Sequence, residues 1–180
     1  MSMKIICITG MPLSGKTTAS MFLKEIGFHV ISMGDVVRKL YFNEKSYAKK
    51  LEDFIVEKRN EMGKDYFARM CEEEIKKSNN ITVIDGVRSI EEAEYFSKIG
   101  KVSLIAIHAS PTTRFKRALE RKREDDPIDF NEFKKRDMRE LSFGLGNLIS
   151  LSDYMIVNEY DKKYLKDNVL KIAERILNEN

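Results

Sequence analysis

The feature that most constrains this chain is the turn Gly10-Met11-Pro12-Leu13-Ser14-Gly15-Lys16-Thr17, set directly behind the apolar run Ile5-Ile6-Cys7-Ile8. It reads G-x-x-x-x-G-K-[ST], and it has the flanks that such a loop requires, a β-rich strand before it and a helix-forming segment over 19–26 after it. The chemistry explains the residue types. Main-chain N–H groups can wrap a chain of phosphates only where the backbone comes close, so Gly10 and Gly15 stand where a Cβ would intrude. A helix opening near Lys16 turns its unpaired N–H groups and positive dipole end toward the same anion. Lys16 adds a point charge for the outer phosphates, the Thr17 hydroxyl is placed to hold Mg²⁺, and Thr18 completes the loop.

The rest of the chain alternates short apolar segments with helical patterns. Strands are expected at 4–9, 28–32, 81–85, 102–108 and 154–158, and the alternation predicts a five-stranded parallel sheet with helices on both faces, a three-layer α/β/α fold, which with the loop before its first helix resembles the P-loop NTPases. Ligands on such sheets bind at the carboxyl ends of the strands. Residues Thr9 and Gly10, 33–35, 85–88, 108–111 and 158–159 therefore belong near one rim. Two regions depart from the alternation. Three helical stretches, 35–42, 46–61 and 64–77, follow one another without a strand, and a second helical excursion over 112–141 is dense in both signs of charge and broken at Asp126-Pro127. The glycine-rich stretch 143–147 reads as a connection, and 162–177 as a closing helix with Leu165, Val169, Ile172 and Ile176 near helical spacing. The whole reads as one domain over 1–180 with helical insertions at 35–80 and 112–142.

Composition sets limits on the function. With 42% hydrophobic and 34% charged residues and a net charge of +3, the chain carries no general bias toward nucleic acid or membrane. No apolar run approaches the ~18 residues of a membrane span, and no leader pattern opens the chain, so a cytoplasmic location is expected. Cys7 and Cys71 match no metal or redox spacing and read as buried thiols. His29 and His108 show no obvious partner.

Four pieces carry a resemblance: the loop 10–18, Met33-Gly34-Asp35-Val36-Val37-Arg38, Asp85-Gly86-Val87-Arg88, and Arg123-Glu124-Asp125-Asp126 followed by Arg136. Together they resemble the nucleoside monophosphate kinase branch of the P-loop kinases, close to adenylate kinase and dephospho-CoA kinase, and in particular archaeal proteins described as adenylate-kinase-related or dephospho-CoA-kinase-like. The resemblance implies ATP and Mg²⁺, with Thr17 and Asp85 on the metal and a small nucleotide-like acceptor held by Arg38 and Arg88. It makes 35–80 the acceptor-binding insertion and 112–142 the lid. Arg123 and Arg136 match arginines flanking the Asp-Asp piece of adenylate kinase, and Arg114, Arg117 and Arg121, three and four residues apart, share a helix face from which they would neutralise the transferring phosphoryl. Val87 stands where adenylate kinase carries Phe-Pro. Asp35 decides between acceptors: a phosphate monoester needs positioning by Arg38 and Arg88, whereas a ribose hydroxyl benefits from Asp35 as base. A rival reading is a nucleotide-driven switch acting on RNA or a ribosomal partner, against which the interspersed acids of 120–140 speak.

Overall fold

A computed structural model describes residues 3–44, 50–78, 81–122 and 126–179. Among them, five strands form one parallel sheet: β1 (Lys4–Thr9), β2 (His29–Ser32), β3 (Thr82–Asp85), β4 (Lys101–His108) and β5 (Tyr154–Val157), in the order β2-β3-β1-β4-β5. β1 is central, with Ile8 in register with Asp85 of β3 on one side and Thr9 with Ala106 of β4 on the other. That register brings the loop after β1 and the acidic end of β3 to the same rim.

The period of two along β1 explains why the sheet is covered on both faces. Ile5 and Cys7 point into a core with Ile31, Ile84 and Leu104, while Ile6 and Ile8 point into the opposite core with Val83, Ile105, Ile107 and Ile156. The second face is closed by α1 (Lys16–Glu25) and α10 (Lys162–Asn178), which contribute Phe22, Leu23, Leu165, Val169 and Ile176. The first face takes the helices after β2 and β3: α2 (Met33–Asn43), α3 (Leu51–Met62), α4 (Tyr66–Arg69), α5 (Glu72–Lys76) and α6 (Ile90–Ser97). The charged excursion forms α7 (Pro111–Arg121) and α8 (Phe130–Ser142), joined by packing of the Phe115, Phe130 and Phe133 rings at 5.4–5.8 Å. Caps set several starts. Ser32, Ser89, Ser110, Asp129 and Asp161 each accept a hydrogen bond from the backbone three residues on, and Pro111 occupies the first turn of α7, where no intrahelical N–H is missed.

Two expectations are corrected. The stretch 64–77 is not one helix but the two short helices α4 and α5, separated at Met70 and Cys71, where the backbone tightens and the Cys71 N–H donates to the Ala68 carbonyl three residues back at 3.0 Å. The stretch 143–147 is not simply a connection: Gly144, at φ 91°, opens a short helix α9 (Leu145–Ser150) that buries Leu145 and Leu148. Part of the expected helix 46–61 falls outside the described residues, which resume at Lys50 just before α3. Both thiols are buried, and burial pushes the Cys71 thiol up to about 12. His29 does have a neighbour: its Nε2 lies 3.8 Å from Glu74.

Candidate active site

The loop between β1 and α1 is tight for a visible reason. A Cβ on Gly10 would lie 2.2 Å from the carbonyl oxygen of Ile107, and one on Gly15 would lie 2.3 Å from the side-chain amide of Asn158. Both glycines have positive φ, and so does Leu13 at 67°, an uncommon conformation for a branched residue. Later segments hold the loop in that shape. The Asn158 amide donates to the Ser14 carbonyl at 2.8 Å, Arg117 donates to the Leu13 and Ser14 carbonyls at 3.2 Å and to the Asn158 carbonyl at 2.8 Å, and Arg114 donates to the Pro12 carbonyl at 3.2 Å.

Lys16 folds back across the loop, donating to the carbonyls of Gly10 at 2.7 Å and Met11 at 3.0 Å. Burial lowers its ammonium to about 8, with Asp85 opposing the shift and Arg88 adding to it. Thr17 donates to Asp85 Oδ2 at 3.0 Å, and burial raises the Asp85 carboxyl, with Lys16 and Thr17 acting in the other direction. A hydroxyl in the first turn of α1 and a carboxylate at the end of β3 fit Mg²⁺, a hard ion that takes oxygen ligands and keeps several waters. The loop fits phosphate on two counts, namely the close backbone approach at Gly10 and Gly15 and the buried Ser14 hydroxyl, which has no hydrogen-bond partner among the described residues.

Two clefts meet at this loop. One, of about 300 Å³, lies toward the first helical excursion and is lined by Lys16, Thr17, Asp85, Arg38, Arg88, Arg121 and Arg136 together with Glu52, Arg139 and Glu140. The other, of about 660 Å³, lies toward the C-terminal helix and is lined by Thr18, Met21, Arg117, Asn158, Tyr160 and Lys162. Leu13, Lys16, Thr17 and Arg121 border both. A ligand in each would face the other across Lys16.

The arginines divide by partner. Arg38 pairs with Asp35 one turn before it, and that guanidinium holds the Asp35 carboxyl below its ordinary range. Gly34 and Arg38 line the first cleft, while Asp35 itself is largely exposed and does not. Arg88 grips both oxygens of the buried Glu140, at 2.7 and 3.0 Å. Arg121 and Arg136 share Asp126. The expected common face of Arg114, Arg117 and Arg121 splits. Arg114, only 3% exposed, turns inward to a two-pronged pair with Asp137 at 2.6 and 2.8 Å and lines neither cleft; Arg117 holds the loop and borders the second cleft; Arg121 reaches both. Helical spacing gave them one stripe, but a buried stripe position needs a carboxylate partner and Asp137 supplies it. Arg123 lies outside the described residues.

Sequence reasoning set Asn158 at the rim without a role and gave Glu140, Asp137 and Arg59 no place in the site. Two of these carried a signal: Arg59 continues the spacing Leu51, Ile55, Arg59 along α3, and Glu140 falls seven residues after the buried Phe133 on α8. A charged residue in the apolar stripe of a helix is there to be paired.

The comparisons agree with this architecture. A family model described as "AAA domain" matches residues 6–140. A UPF0200 protein of Sulfurisphaera tokodaii is 42% identical over 97% of this chain and 98% of its own length. Among solved structures, TT1252 from Thermus thermophilus superposes with a TM-score of 0.72 at 15% identity over 99% of this chain and 100% of that one, and shikimate kinase from Acinetobacter baumannii in complex with shikimate with 0.59 at 18% over 97% and 92%. With a phosphate-binding loop on a five-stranded parallel sheet and relatives matched over nearly their full length, the chain belongs to the AAA domain family and to the UPF0200 proteins, on a fold shared with the P-loop kinases.

Proposed function

We propose that this protein is an ATP- and Mg²⁺-dependent phosphotransferase that moves the γ-phosphoryl group to a small nucleotide-like acceptor. One observation carries the reading: basic side chains from three later segments, Arg38 of α2, Arg88 after β3, and Arg121 and Arg136 of the charged excursion, line one cleft with Lys16 and Asp85. On this reading the loop amides and Lys16 hold the donor, whose body lies in the second cleft against Asn158 and Tyr160. Thr17 and Asp85 would hold Mg²⁺, which would neutralise negative charge on the phosphate oxygens. Lys16 leaves the Gly10 and Met11 carbonyls for phosphate oxygens, to which it offers more favourable partners. Arg38 and Arg88 orient the acceptor, and Arg121 and Arg136 place positive charge where it builds up on the equatorial oxygens.

A phosphate monoester fits the acceptor side better than a hydroxyl. Asp35, the expected base for a hydroxyl, is exposed and held as a weaker base by Arg38. The same observation supports a nucleoside monophosphate as acceptor over dephospho-CoA. A coupled assay over the common nucleoside monophosphates and dephospho-CoA, with saturating Mg-ATP, tests the reading; Lys16→Ala should lose at least ~100-fold in rate. Absence of transfer to every acceptor, with ATP hydrolysis stimulated by RNA instead, would favour the switch.

A further inference from the structure

Beneath the acceptor-side cleft lies a smaller slot, about 50 Å³, which shares Gly34, Arg38, Leu51, Ile55, Gly86 and Arg88 with it. Met33, Val37 and Phe67 make its apolar wall, and Arg59 and Glu92 are its buried charged pair. Arg59 is 6% exposed and Glu92 1%. Arg59 Nη1 donates to Glu92 Oε1 at 2.6 Å, and the guanidinium lies 5.1 Å from the centre of the Phe143 ring. The other oxygen of Glu92 accepts from the backbone N–H of Arg88 at 2.7 Å. Both carboxylate oxygens are thus engaged, while Arg59 Nη2 is buried with no hydrogen-bond partner among the described residues.

The pair therefore offers the slot a hydrogen-bond donor and keeps no carboxylate oxygen unengaged. We infer that Arg59 reads a carbonyl oxygen on the buried end of the acceptor, so that the preferred acceptor is a nucleotide with a keto group on the edge of its base. This rests on the phosphotransfer reading and adds the class of base to it. The physical reasons are three. A buried guanidinium N–H without a partner is satisfied by a ring-edge oxygen, whereas the ring nitrogen of adenine that could accept from it brings the neighbouring amino group, a second donor with no oxygen of Glu92 left to meet it. Arg59 and Glu92 already cancel in charge, so a neutral carbonyl suits the site where a further buried carboxylate would be left uncompensated. The slot's volume and apolar wall suit one edge of a flat ring.

Binding of uridine, guanosine and adenosine 5′-monophosphates to the full chain, measured by calorimetry with a non-hydrolysable ATP analogue bound, tests this. Uridine or guanosine monophosphate should bind at least ~10-fold more tightly than adenosine monophosphate. Arg59→Lys, which keeps the charge beside Glu92 and removes the forked donor, should abolish that preference while leaving affinity for the ATP analogue unchanged. Should Arg59→Lys fail to fold, the double change Arg59→Met with Glu92→Met removes both buried charges together and should give the same loss. Equal or tighter binding of adenosine monophosphate, a preference that survives both variants, or binding of none of the three overturns the inference. Phosphoryl transfer followed on parallel samples of the same proteins, with Mg-ATP in place of the analogue, separates the two claims. A keto preference that depends on Arg59 without any transfer sinks the kinase reading alone, and transfer indifferent to Arg59 sinks the slot alone.

Discussion

Lys16 gives the sharpest quantitative test. In the unliganded fold its ammonium is lowered to about 8 from an ordinary 10.5, chiefly because burial takes it out of water. Triphosphate arriving at the loop would supply the missing counter-charge and return Lys16 to its charged state across the same range. The sign follows by linkage. A lysine whose folded value is depressed binds fewer protons in the free fold than in the complex between pH 8 and 10.5, so ligand binding takes up a proton there and weakens as pH rises. With a free-state value of about 8, the apparent dissociation constant for Mg-ATP should grow about tenfold from pH 7 to pH 9, or about 1.4 kcal/mol. Titration calorimetry in two buffers of different ionisation enthalpy should record uptake of about half a proton per site at pH 8 and about 0.9 at pH 9. The unliganded fold should move the other way, gaining stability as pH rises through that window, since the penalty of a buried charge is lifted. Flat affinity between pH 7 and 9 with no proton uptake would refute the account, showing that Lys16 is fully charged before the anion arrives or does not meet it.

Other outcomes follow from the same geometry. Gly10→Ala would press a methyl against the Ile107 carbonyl at 2.2 Å in a backbone conformation foreign to alanine, so nucleotide binding should vanish and urea titration should show a loss of about 2 kcal/mol or more. Asp85→Asn removes a carboxylate that burial already disfavours; the raised value means that charged Asp85 costs the free fold stability above the ordinary carboxylate range and less as pH falls. At pH 7 the variant should therefore melt no lower than wild type yet lose Mg-dependent turnover by about 100-fold, and a lower melting temperature would contradict this. Arg114→Ala would strand Asp137 and release the Pro12 carbonyl, costing about 3 kcal/mol in denaturant titration, whereas Lys116→Ala, at an exposed position of the same helix, should stay within about 0.5 kcal/mol.

The sheet was legible because apolar runs of the right length alternate with helical periodicity, and the loop because its glycines, lysine and threonine are fixed in both type and spacing. Every strand expected from sequence is present within two residues of its boundaries. What sequence could not supply was partnership. Nothing in the string Arg114, Arg117, Arg121 says that the first will meet Asp137, the second the loop carbonyls and the third Asp126, since those contacts join segments that helical spacing alone does not relate. The break between α4 and α5 likewise has no glycine or proline to announce it, being a tightened turn at Cys71.

The strand order has a temporal side as well. Within the sheet the central strand is made before all the others, yet its hydrogen-bonded neighbours follow some eighty to a hundred residues later, and the amide that props the Ser14 carbonyl comes from Asn158. Such distant pairings make for slow closure. The loop is thus begun with the first strand of the sheet and propped only with the last, so a nascent chain arrested anywhere before β5 should carry the whole motif and show no binding of Mg-ATP.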